Sequence, residues 1–74
     1  MMPQFRVSVR PLPDGEAFIM EQFESRSDAD ACWRGLMDDA TSILGDMPFK
    51  CMCATYSEYL GGSWVDTSRK VVMR

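Results

Sequence analysis

Phe5, Val7 and Val9 alternate with Arg6, Ser8 and Arg10. An apolar side chain at every second position is the period of a strand with one buried side, here with a basic outer face. Pro11-Leu12-Pro13-Asp14-Gly15 follows. Prolines pre-set φ and an Asp-Gly step accepts positive φ, so this stretch predicts a turn. Ala17 to Glu24 predicts a second strand, which makes a hairpin with a five-residue connection.

The period then changes. Ala29, Cys32, Trp33, Leu36, Met37, Ala40, Ile43 and Leu44 are spaced i, i+3, i+4, i+7, i+8, i+11, i+14 and i+15. That is a single stripe on a helix. Ser25-Arg26-Ser27 opens it, with Ser27 expected as the N-cap and with Asp28 and Asp30 in the first turn, where the helix dipole favours negative charge. Gly45 is expected to end the helix as a left-handed residue, and Pro48 prevents its continuation.

Phe49 to Tyr59 predicts a third strand, Gly61-Gly62 a turn, and Ser63 to Met73 a fourth strand interrupted around Asp66-Thr67-Ser68. The order is ββαββ: one α+β domain over residues 1–74, with a single helix on one face of a four-stranded, mainly antiparallel sheet. The strands carry apolar groups on both sides. Phe18 and Met20 oppose Ile19 and Phe23, while Phe49, Cys51 and Cys53 oppose Met52, Ala54 and Tyr56. A sheet wetted on one side alternates more cleanly, so either the strand registers are irregular or, the favoured expectation, the second face meets a partner or a second copy as a homodimer.

Composition bounds this picture. At 74 residues and 46% hydrophobic content, the chain is a small globular domain of limited core. Its seven methionines fit either an irregular core or an adaptable contact surface. The N-terminus lacks the apolar core of a signal peptide, and no apolar run approaches the ~18 residues of a membrane span. With three cysteines, an odd number, a disulfide framework is not expected, and a cytoplasmic location is.

Charge sharpens it. Nine of the eleven acidic residues lie between Asp14 and Asp46, a stretch with only Arg26 and Arg34 as cations and a net charge of −7. The rest carries +4, so the formal −3 is the difference between two opposed regions. Such unevenness describes a surface that meets partners. Arg6 and Arg10 are expected to pair across strands with Glu16, Glu21 or Glu24.

Candidate chemistry is sparse. Without histidine, no Cys–His or Ser–His dyad exists within the chain. Cys51 and Cys53 are expected on one strand face, and Cys32 is the only further thiolate, one ligand short of a structural zinc site. Asp38 and Asp39 diverge by about 100° on a helix and do not converge on a substrate. Asp30, Arg34 and Asp38 are spaced as a surface ion-pair ladder. Gly61-Gly62-Ser63 lacks the spacing and lysine of a phosphate-binding loop. Tyr56, Tyr59 and Trp64 gather around that turn as interface anchors or as plain core. No catalytic, cofactor or metal site is assigned.

In size, acidity and ββαββ pattern, the whole chain resembles the small acidic inhibitors that phages make against host machinery, such as anti-CRISPR proteins. The resemblance includes no motif. It implies a non-enzymatic module that binds a basic site on a larger nucleic-acid-handling protein. Glu24, Asp28, Asp30, Asp38 and Asp39 would then compete for the Arg and Lys side chains that hold phosphates. Tyr56, Tyr59 and Trp64 complete the expected partner-binding set. Two alternatives remain open: a homo-oligomeric accessory domain or enzyme subunit, and a nucleic-acid binder that uses the basic sheet residues. The net negative charge argues against the last.

Overall fold

Strand and helix periods alternate in the computed structural model as they do in the sequence. It describes residues 3–74. The elements are β1 (Phe5–Pro11), β2 (Ile19–Phe23), α1 (Arg26–Gly45), β3 (Cys51–Leu60) and β4 (Ser63–Met73). All three strand pairings are antiparallel, and the sheet order is β2-β1-β3-β4. This is the expected α+β fold, with α1 crossing one face between the outer strand β2 and the inner strand β3.

Apolar side chains from both layers meet on that face. Phe5, Val7 and Val9 of β1 and Met52, Ala54 and Tyr56 of β3 pack with Ala29, Leu36, Ala40 and Leu44 of α1. Cys32, Trp33, Met37 and Ile43 line the same core, so the whole helical stripe is used. Ile19 and Phe23 join them, while Phe18 and Met20 stay exposed.

Several boundaries differ from expectation, each for a local reason. The second strand starts at Ile19, and Glu16 and Ala17 belong to the preceding loop. Gly15 has φ +152°, and a Cβ there would collide with the Pro11 ring, so the turn requires glycine. The helix N-cap is Ser25, not Ser27: the Ser25 Oγ accepts from the Asp28 N–H at 3.5 Å, and Ser27 lies within the first turn. Asp30 falls beyond that first turn, which holds Asp28 as its acidic residue.

The C-terminus of α1 also differs. Gly45 is not left-handed, and Asp46 caps the helix in the right-handed region. The Arg74 guanidinium donates to the Leu44, Gly45 and Met47 carbonyls at 2.6, 3.2 and 2.6 Å. A cation from the far end of the chain thus satisfies carbonyls that a left-handed glycine would otherwise serve.

Phe49 precedes β3 and stacks at a tilt on Phe18, with ring centroids 5.3 Å apart. Gly61 and Gly62 have φ of +57° and +89°, the mirror-image turn that matches the twist of a tight hairpin. The expected interruption near Asp66 is a bulge. Ser57 faces Asp66 while Tyr56 faces Ser68, so Thr67 is the extra residue and β4 continues past it.

Candidate interaction surfaces

Successive side chains of a strand point to opposite faces. The register therefore places Arg6, Ser8 and Arg10 of β1, Cys51 to Tyr59 at every second position of β3, and Trp64, Asp66, Arg69, Val71 and Met73 of β4 on the face away from α1. One surface of interest is this open sheet face. The other is the outer side of α1.

On the open face, the Tyr59 and Trp64 rings meet edge to face at 5.4 Å. The Arg6 guanidinium lies 4.0 Å from the centre of the Trp64 ring. To reach it, Arg6 crosses β3 above Ser57, its register partner. Ser57 is buried and donates to the Asp66 carboxylate at 2.8 Å. Arg69 stands 3.7 Å from the same carboxylate. At the opposite end, Val71 and Met73 are exposed beside the buried Cys53.

Tyr56 is not part of this aromatic group. It points to the other face, where it is buried and meets Trp33 edge to face at 5.8 Å. Its hydroxyl donates to Asp30 at 2.7 Å. Burial, the hydrogen bond to Asp30 and that carboxylate's charge push the Tyr56 phenol up to about 12. Tyr56 is three residues from Tyr59, an odd separation that alternation alone could have used to part them.

The same hydrogen bond removes Asp30 from the expected ladder. Asp30 is half-buried, and among the described residues no ion pair joins Arg34 to Asp30 or Asp38. Asp28, Asp38 and Asp39 are exposed, as is Glu24 beside the N-cap. At about 100° and 1.5 Å per residue, Asp28 and Asp39 share one side of α1 some 16 Å apart, and Asp38 lies nearly a quarter turn further out.

Glu21 extends this acidic side, and sequence reasoning missed it. It shares parity with Ile19 and Phe23, is exposed, and through its charge raises the Cys32 thiol pKa, after the larger effect of burial. Arg6 faces Gln22, and the expected pairs of Arg6 or Arg10 with Glu16 and Glu21 do not form among the described residues. On the helix side an ion pair joins Arg26 to Glu58 at 2.8 Å.

All three thiols are free, and the sheet separates Cys32 on the helix side from Cys51 and Cys53 on the open face. Among the described residues no group of three or more potential ligands could hold a metal ion, and there is no concave pocket. No helix among the described residues is long and apolar enough to cross a membrane. Of the six cations outside the acidic stretch, the open face gathers Arg6, Arg10 and Arg69, while Lys70 faces Ala54 on the helix side and Arg74 is committed to the helix end. No family model matches the chain, and neither does any curated protein or solved structure.

Proposed function

We propose that the chain is a non-enzymatic interaction module that inhibits a larger, nucleic-acid-handling protein by occupying a basic site on it. The supporting observation is the outer side of α1. Its inner stripe is committed to the core, and Asp28, Asp38 and Asp39 stand exposed around the other side, with Glu21 beside them. Carboxylates held on a rigid helix present fixed negative charge at spacings that arginines and lysines of a phosphate channel can meet. Long-range attraction then steers the encounter and weakens with salt. The resemblance to small phage inhibitors points the same way.

The test is photo-crosslinking in the native host, with a crosslinker at the exposed Ser42 on α1 and, separately, at the exposed Arg10 on the open face. Capture from the helix site of a protein at a Lys- and Arg-rich segment supports the reading, provided the chain displaces nucleic acid from that protein. A variant carrying D28K, D38K and D39K should then lose capture with its circular dichroism spectrum intact. Capture that survives the triple reversal, or that occurs only from position 10, rejects it.

A further inference from the structure

The two outer strands of the sheet are unequal. β2 has five residues, whereas β4 has eleven and is exposed along most of its length. At roughly 3.3 Å per residue such a strand runs about 36 Å, which matches the 36 Å longest dimension of the molecule. β4 pairs with β3 on one side, and its other side is the sheet edge. A long edge is a template for another strand.

We infer that this edge pairs with β4 of a second copy of this chain, antiparallel, about a two-fold axis between Thr67 and Ser68. The argument is charge complementarity. Asp66 and Arg69 both lie on the open face, on either side of the bulge. In this register Asp66 faces the partner's Arg69, and Arg69 faces the partner's Asp66. Trp64 then faces the partner's Val71 on the same sheet face, and Val65 faces the partner's Lys70 on the helix side. Sliding one strand by two residues instead opposes Asp66 to the partner's Val71 or to the partner's Thr67, and both ion pairs are lost.

Charges and bulges ordinarily blunt an edge against foreign strands. Here the two charges are opposite in sign and placed symmetrically about the bulge, so an arrangement that repels a generic strand attracts an inverted copy. Each interface is isologous and closes at two subunits. Stacking two open faces is a poorer solution, because it brings Arg6, Arg10 and Arg69 of both copies together. Edge pairing keeps the arginines of the two copies apart, opposes Arg69 to a carboxylate, and leaves the acidic side of α1 free for a different partner.

Sedimentation equilibrium of the full chain tests this with D66R and R69D, alone and mixed. The wild type should be a concentration-dependent dimer with slowed amide exchange in β4. Each single variant places like charges opposite each other twice and should raise the dimer dissociation constant about tenfold or more. An equimolar mixture restores both unlike pairs between chains and should return a one-to-one heterodimer. The intrachain Asp66–Arg69 contact stays broken in both variants, so a purely structural role would not be rescued by mixing. A monomeric wild type, a dimer unaffected by either variant, or a mixture that stays monomeric while the wild type dimerises would overturn the inference.

Discussion

The two faces of this sheet begin from similar sequence and end in different states. Both carry apolar groups from β3, yet Met52, Ala54 and Tyr56 are sealed under α1, while the far side of the strand meets no second layer. A single helix covers one face of four strands and no more. The open face is insulated differently. Cys53 and Ser57 are only 2% and 3% exposed there, and Arg6 drapes its stem over β3 to rest on Trp64. Long amphipathic side chains can dry a strand without a second layer of backbone. Charge is biased along the same boundary, with Asp28, Asp38 and Asp39 outside α1 and Arg6, Arg10 and Arg69 gathered beside Asp66 on the open face. The modest net charge conceals a two-sided molecule.

The comparison breaks most sharply in the core. Leu44 is 1% exposed and Met20 is 53% exposed. Leu44→Ala leaves a cavity between helix and sheet and should cost about 3 kcal/mol. That is a large part of the roughly 4–11 kcal/mol available to a domain of this length. Met20→Ala on the open face should cost less than about 0.5 kcal/mol. Urea midpoints measure both. A comparable loss at Met20 would mean that the open face is covered in solution by another molecule.

A second, smaller effect is confined to the helix side. Tyr56→Phe removes a hydrogen bond to a half-buried carboxylate, which costs about 1.5–3 kcal/mol. The phenol titrates near 10 when unfolded and at about 12 when folded. The folded state therefore favours the protonated form. Its contribution is fully present below about pH 10 and is lost as pH rises from there through the folded value. Wild type and Tyr56→Phe should differ most near neutrality and converge above pH 12, as followed by denaturant unfolding at a series of pH values. A difference that does not change across that window would show that the hydroxyl is not held by Asp30.

Local periodicity carried most of the fold. The stripe from Ala29 to Leu44 and the Phe5–Val7–Val9 alternation place helix and central strand without any tertiary information, because burial on one side imposes the period. What escaped was set by contacts between distant residues. No local signal says that Arg74 closes the helix end, and Gly45 carries the usual mark of a left-handed cap without adopting it. Asp30 looked solvated by its spacing to Arg34 and Asp38, and it was Tyr56, across the layer boundary, that drew it inward. Alternation could have parted Tyr56 from Tyr59 and placed Glu21 on the helix side. Proximity in sequence obscured the first, and an assumed pairing with Arg6 and Arg10 obscured the second.

The smallest effect lies on the open face. Arg6 over Trp64 is a cation–π contact at a partly solvated site, worth about 0.5–1 kcal/mol. Its Nε is buried without a hydrogen-bond partner among the described residues, and that cost offsets part of the gain. Arg6→Ala should therefore lower stability by less than about 1 kcal/mol. Its optical consequence is larger, because it strips the cover from Trp64 while Trp33 stays packed against Tyr56 on the opposite face. Acrylamide should quench tryptophan emission more strongly in Arg6→Ala than in the wild type, with a shift to longer wavelength. Unaltered quenching would mean that Arg6 does not lie across the sheet in solution, and the open face would then owe the burial of Ser57 to some other group.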